Sequence, residues 1–314
     1  MKFKKILPLV LITFLSACSN QQSRVFYFDT MIDIKLFEGN KQNTKDLEKL
    51  FDLYDVLSDN YLPRNMVNVY SINHTNDDLS VDTELYDLLK VAFDVQTKGA
   101  TYFNPLCGSL AKKWKSSLNG QQILDENTIN EELLKISNTT LTFKNNNVVQ
   151  RIGEAEIDLG GIVKGYALDL SYDYLKSNNI SHYLIDAGNS SILLGEKKSD
   201  DGLFTVGLNN VPNTYMKLKN CFVSTSSISQ QGVKIGDITY SHIVNPVTGS
   251  AINENDAVIV ISDNGALGDA LSTSMMMNTI DEIKDIEAEQ NVKAIVIKDN
   301  KIVYQNSEIE VFNR

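Results

Sequence analysis

The chain has 314 residues, a formal net charge of -11 at pH 7, 42% hydrophobic residues and three cysteines. That length supports one large core or two lobes, and the acidic balance argues against non-specific nucleic-acid binding. An anionic ligand has to be met by a local device such as a helix end, a lysine or a metal ion, because the overall field repels it.

Residues 1–17 read as a signal peptide: Lys2, Lys4 and Lys5 form a basic start, and residues 6–15 form an apolar stretch too short to span a bilayer comfortably. It ends in Leu15-Ser16-Ala17-Cys18, small residues before a cysteine, which resembles a bacterial lipoprotein signal with Cys18 as the lipidated new N-terminus. The predicted address is a membrane-anchored lipoprotein on the extracytoplasmic face. Residues 18–24 are then a polar tether, and residues 25–314 one compact domain with no repeat or low-complexity linker. Cys107 and Cys221 fit no zinc spacing and read as buried thiols.

Residues 25–37 alternate Phe26, Phe28, Ile32, Ile34 and Leu36 with polar neighbours, the pattern of a half-buried strand. Residues 44–57 and 83–98 carry apolar side chains at helical spacing, the second with Asp82 as N-cap and Gly99 past its end. Tyr102-Phe103-Asn104 offers aromatic faces and an amide to a planar ring, or simply core. Residues 141–152 read as a hairpin turning at 144–147, residues 182–187 as a buried strand, and residues 191–240 as a meandering antiparallel sheet. Strands at both ends with helices between predict an α+β fold.

Three stretches could carry chemistry. Asp158-Leu-Gly-Gly-Ile-Val-Lys164-Gly-Tyr-Ala-Leu-Asp169 pairs two glycines with a helix start, whose free N–H groups and positive dipole end suit an anion, and Lys164 sits where it could touch a phosphate. A plain strand-to-helix turn with a solvated lysine has the same pattern. His242 stands at a strand end before a turn, as a base, a ligand or a structural hydrogen-bonder. In Gly268-Asp269-Ala-Leu-Ser272-Thr273, a helix would put Asp269 and Thr273 on one face with Ser272 beside them, a hard oxygen set suited to magnesium; the alternative is a carboxylate that only favours a helix N-terminus.

In order and spacing, Asp158 to Tyr166, His242-Ile-Val-Asn-Pro-Val-Thr-Gly249 and Asp269-Ala-Leu-Ser-Thr273 resemble the signature blocks of the ApbE family, the FAD:protein FMN transferases. Phe28-Asp29-Thr30, Phe103-Asn104-Pro105 with Gly108 and Trp114, Asp186-Ala187-Gly188 and Thr225-Ser226 resemble weaker blocks. The resemblance implies an ApbE-like fold of antiparallel sheets with flanking helices. It implies a magnesium-dependent enzyme that splits FAD, transfers FMN to a threonine or serine hydroxyl of an acceptor protein and releases AMP. Carried over by position, Asp269, Ser272, Thr273 and the main-chain oxygen of Gly161 would hold Mg2+. Phe28, Tyr61, Tyr102, Phe103, Asn104, Lys164 and Ile243 would contact FAD, and His242 with Asp269 would be catalytic. Asn104 and Asn245 stand where acids are usual, Asn189 and Ser227 where glycine is common, and Val163 replaces an alanine. Two other readings fit the same residues: a flavin-binding lipoprotein without catalysis, and a metal-dependent FAD pyrophosphatase.

Overall fold

The computed structural model describes residues 20–228, 232–252 and 255–313. The signal peptide and Cys18 lie outside the described residues. Its centre is an eight-stranded sheet whose neighbours, in order, are Gln21–Tyr27, Thr30–Leu36, Tyr183–Ala187, Ser191–Leu194, Cys221–Ser227, Ala257–Ser262, Lys293–Lys298 and Lys301–Gln305. Every pairing in it is antiparallel. The α+β, antiparallel expectation is met.

The side-chain period of two splits the sheet into two faces. On one face Ile32, Ile34, Ile185, Ala187, Leu193 and Phe222 meet Leu47 and Phe51 of the Lys41–Ser58 helix and Ala167, Leu168 and Leu175 of the Val163–Ser177 helix. On the other, Leu194, Val223, Ile259, Ile261, Ile295 and Ile297 meet Phe204 and Met216 of a three-stranded sheet made of Phe204–Gly207, Thr214–Leu218 and Val311–Asn313. A larger apolar cluster joins Leu85, Leu88, Leu110, Trp114 and Val149 to Ala270, Leu271 and Met275 of the Gly265–Met275 helix. Burying whole Leu, Ile or Phe side chains contributes about 1.5–3 kcal/mol each before chain entropy is counted, so these clusters fix the frame on which the site is built.

Two stretches differ from their sequence reading. Residues 25–37 are not one strand but the tip of a hairpin, with strands Gln21–Tyr27 and Thr30–Leu36 joined through Phe28 and Asp29. Both turn residues have positive φ, 53° and 57°, which a bulky Phe rarely adopts. Tertiary contacts impose it: the Phe28 N–H donates to Asp55 Oδ1 at 2.6 Å and its ring meets Phe51 edge-on. The hairpin also absorbs Gln21 to Arg24 of the expected tether, because those residues pair in register with Asp33 to Leu36.

The helix Thr83–Asp94, its 3-10 extension Val95–Lys98 and the left-handed Gly99 follow the expected pattern, although Asp82 makes no side-chain cap bond. The hairpin Thr140–Lys144 with Val148–Ile152 is where the alternation placed it. The Gly188-Asn189 turn has both φ values positive. Asn is the next-best residue to glycine there, and Asp186 Oδ1 accepts the Asn189 N–H at 2.7 Å.

Candidate active site

The site begins where two helices touch through glycine. A Cβ on Gly165 would lie 2.1 Å from the Gly265 carbonyl oxygen, and one on Gly265 would lie 2.4 Å from that of Gly165, so the helices Val163–Ser177 and Gly265–Met275 meet backbone to backbone. Each supplies a carboxylate to the other's N-terminal turn. Asp169 accepts the N–H groups of Gly265 (2.6 Å) and Ala266 (2.9 Å), and Asp269 Oδ2 accepts the N–H of Gly165 (2.7 Å). First-turn N–H groups have no partner within their own helix, so this exchange satisfies both ends.

Asp269 is buried, and the sheet meets it with hydroxyls. Ser191 Oγ donates to both carboxylate oxygens (2.8 and 3.0 Å) and Ser224 Oγ donates to Oδ1 (2.6 Å). Ser191 and Ser224 are direct cross-strand partners, hence on one face, and Ser226 follows two residues on. Ser226 Oγ lies 2.9 Å from Ser272 Oγ and 3.1 Å from Thr273 Oγ1. Burial raises the Asp269 carboxyl above its ordinary range, opposed by Lys164 and by the Ser224, Ser191 and Gly165 donors.

The glycine pair is used for close approach, not for a left-handed turn. A Cβ on Gly161 would sit 3.0 Å from the Phe103 ring and 3.7 Å from Thr273 Oγ1, so Gly161, Phe103 and Thr273 converge. The 102–108 segment is stitched to the same place. Tyr102 N–H donates to Ser274 Oγ, the Asp158 N–H to the Pro105 carbonyl, and the Gly108 N–H to the Glu156 carbonyl. Phe103 is buried in the core and Ile243 nearly so, which makes them floor, while Tyr102, Lys164 and Phe28 are half-buried. Tyr61 is exposed, with Lys112 Nζ 4.6 Å and Lys115 Nζ 5.7 Å from its ring centroid. Asn104 turns inward as a cap, its Oδ1 accepting the Leu106 N–H.

His242 follows the short strand Ile238–Tyr240 on a loop tied to the rest of the protein by hydrogen bonds and one ring stack. Trp114 Nε1 donates to the Gly249 carbonyl at 2.7 Å and stacks on Tyr240, and Asn245 Oδ1 accepts the N–H groups of Val247 and Thr248. Asn104 and Asn245 thus make the bonds a carboxylate would make, so both turns survive the loss of charge. Among the described residues His242 Nδ1 is buried without a hydrogen-bond partner. Burial first, then the charges of Lys164 and Lys115, hold this imidazole down at about 4, with Asp158 opposing. It is therefore neutral at pH 7, an unprotonated but intrinsically weak base.

That depression has a stability consequence. A histidine whose folded value lies below the unfolded 6.5 contributes fully above pH 6.5, and its contribution disappears as pH falls towards 4. Asp169, pushed by burial up to about 6, acts with the opposite sign over much of the same window, since its folded form takes a proton first. The difference between parent and His242→Gln isolates the imidazole. In thermal melts the parent should lose ground to the variant from pH 6.5 to pH 4; a difference that stays flat would refute the depressed histidine.

Among the described residues no group of three or more His, Cys, Asp or Glu could hold a metal ion. What exists instead is one carboxylate, hydroxyls and a nearby glycine backbone. Three protons, from Ser191, Ser224 and Gly165, orient the Asp269 carboxylate, the Ser191 proton being shared between both oxygens, and leave its charge uncompensated by any ion pair among the described residues. Few protein ligands, all oxygen, is the pattern of magnesium completed by substrate phosphate and water. Asp269, Thr273 and the Gly161 backbone fit that group. Ser272 Oγ has more of its capacity used, lying 2.9 Å from the Asp269 carbonyl oxygen and 2.9 Å from Ser226 Oγ, which leaves it one lone pair.

The family model for the ApbE family matches residues 28–296. The chain belongs to the ApbE family. Relatives in it include a protein named FAD:protein FMN transferase from Chlamydia muridarum, 25% identical over 294 residues that cover 87% of this chain and 90% of that one. Another of the same name, from Klebsiella pneumoniae, is 25% identical over 76% of this chain and 77% of its own. The fold matches the ApbE protein of Thermotoga maritima with a TM-score of 0.79 at 21% identity, covering 92% and 97% of the two chains. It matches the flavin transferase ApbE of Vibrio cholerae with a TM-score of 0.72 at 20% identity, covering 92% and 98%.

Sequence reasoning passed over Ser191 and Ser224 and the carboxylate of Asp169. The available signal was polar residues at a spacing of two inside an apolar strand, Ser224 and Ser226 beside Phe222 and Val223.

Proposed function

We propose that this ApbE-family chain is an FAD:protein FMN transferase that moves FMN from FAD to a threonine or serine hydroxyl of an acceptor protein, uses magnesium, and releases AMP. The observation that carries this reading is the meeting of an oxygen-only cluster with a cationic and a basic group: Asp269, Thr273 and Gly161 at one helix crossing, with Lys164 close enough for its charge to act on both Asp269 and His242.

Asp269, Thr273 and the Gly161 main-chain oxygen would hold Mg2+, which when bound supplies neutralisation of the pyrophosphate. Lys164, half-buried in the first turn of its helix, adds a fixed positive charge for the same phosphates. The acceptor oxygen attacks the FMN-side phosphorus, the bond to AMP breaks, and His242 takes the acceptor's proton. The half-buried Tyr102 and Phe28 would supply contacts for the flavin or adenine ring, with the buried Phe103 behind Gly161. Holding the reactants in line supplies most of the remaining rate. Holding a flavin ring needs no carboxylate beside free hydroxyl lone pairs, which favours an enzyme over a carrier.

The test mixes the purified protein with FAD, magnesium and a candidate acceptor, and follows AMP release together with acceptor mass. Stoichiometric AMP and an acceptor heavier by FMN are expected. AMP without a mass change indicates the pyrophosphatase, and bound FAD with no AMP indicates the carrier.

The membrane address is part of the same proposal. No helix among the described residues is long and apolar enough to cross a membrane. Lipid on Cys18, three residues before the first strand at Gln21, would hold the domain close to the extracytoplasmic surface. Cys18→Ser is expected to leave the protein unprocessed or released; unchanged processing and membrane fractionation would overturn the anchor.

A further inference from the structure

Three hydroxyls behind the proposed metal position form a chain whose proton directions can be deduced. Ser272 Oγ lies 2.9 Å from the main-chain oxygen of Asp269, and a carbonyl can only accept, so the Ser272 proton is spent there. Ser226 Oγ lies 2.9 Å from Ser272 Oγ; with the Ser272 proton committed, Ser226 must be the donor. Ser226 Oγ also lies 3.1 Å from Thr273 Oγ1, and having used its one proton it can only accept. Thr273 is therefore the donor. This is the single assignment that turns all three contacts into hydrogen bonds, and it leaves both lone pairs of Thr273 Oγ1 unused by the chain of hydroxyls, with Gly161 close by: a Cβ there would lie 3.7 Å from that oxygen.

We propose that Ser226 is the positioning residue that makes Thr273 a cation ligand: by accepting the threonine proton, it keeps that proton out of the site and presents only lone pairs there. The inference rests on the magnesium reading above and deepens it. A neutral hydroxyl binds a cation through a lone pair and repels it through its proton, so an unanchored threonine would spend part of its time in the wrong rotamer. Ser226 is placed to prevent that by its strand. It is buried, centrally located in the sheet, and shares a face with Ser224, which orients the Asp269 carboxylate from the same side. One strand thus holds both proposed ligands, each through one serine, while Ser272 closes the chain onto the helix backbone. Partners of this kind, one step removed from the metal, are commonly worth tenfold to a hundredfold in metal affinity.

The experiment titrates the full-length protein, without FAD, with Mn2+ and follows free Mn2+ by electron paramagnetic resonance, with a thermal melt of each variant to establish that it is folded. Ser226→Ala is expected to weaken Mn2+ binding by about tenfold to a hundredfold. Ser262→Ala removes another buried hydroxyl, which donates to the Asn264 carbonyl at the start of the same helix, and should leave the affinity unchanged. Should Ser226→Ala fail to fold, Ser226→Cys keeps the volume but offers a poor acceptor, and should show the same weakening. Asp269→Asn and Thr273→Val separate the two levels of the claim. If both lose Mn2+ while a folded Ser226 variant binds like the parent, the positioning role is wrong and the metal site stands; if both bind like the parent, the metal site is wrong and the role of Ser226 falls with it.

Discussion

Asp269→Asn should reduce FMN transfer at least a hundredfold while leaving a folded protein. The carboxylate does two things here, and the substitution separates them by size. As a structural acceptor it takes protons from Gly165 N–H, Ser191 and Ser224. An asparagine keeps one oxygen for these donors and loses the other, so about 1–3 kcal/mol of stability should be lost through the donor left unmet. As a charge it is, among the described residues, the one carboxylate that this cluster offers to a cation, and removing such an electrostatic partner typically costs about 10²–10³ in turnover. Asp269→Ala is the poorer variant, because it strands all three donors and confuses unfolding with inactivity. Urea melts and single-turnover AMP release on the same preparation decide the matter. Parent-rate transfer by a folded Asp269→Asn, with a chelator present, would remove the metal and the Asp269 charge from the mechanism.

How far the sequence reached depended on whether a feature was local. The Asp269–Thr273 pair was legible because i and i+4 share a helix face whatever the helix packs on. The Thr140–Lys144 hairpin was legible because its alternation and its turn residues sit in one short stretch. The partners of Asp269 were not, since Ser191 and Ser224 come from strands many residues upstream, and an isolated serine in a strand reads as a weak spot, not a donor. Phe28 and Asp29 hid a turn for the opposite reason. Phe rarely adopts positive φ, and the conformation at Phe28 is held by Asp55, far away in sequence. The helix-end alternative for Asp269 holds with one change: the N-terminus it serves is that of the Val163–Ser177 helix and not its own.

Gly165→Ala should be the most damaging single methyl in the chain. Its Cβ would meet the Gly265 carbonyl oxygen at 2.1 Å, the carbonyl carbon at 2.4 Å and the Ala266 nitrogen at 2.9 Å, all backbone, so no rotamer change can relieve the overlap. The helices must move apart by roughly an ångström to restore ordinary contact. Overpacking alone costs about 1–3 kcal/mol. Separation also stretches the bonds that cross this contact, Asp269 to Gly165 and Asp169 to Gly265 and Ala266, and charge-assisted hydrogen bonds of that kind contribute about 1.5–3 kcal/mol each. The combined loss is comparable to the whole stability of an ordinary domain, about 5–15 kcal/mol. The variant is therefore expected to be insoluble or to melt far below the parent, and any folded fraction should be inactive because Asp269 has left its place. Gly207→Ala provides the control: a Cβ there meets nothing within 4 Å, and it should change stability by no more than about 1 kcal/mol. If Gly165→Ala melted with the parent in urea, the two helices would not be in backbone contact in solution, and the reciprocal capping that holds the site together would be wrong.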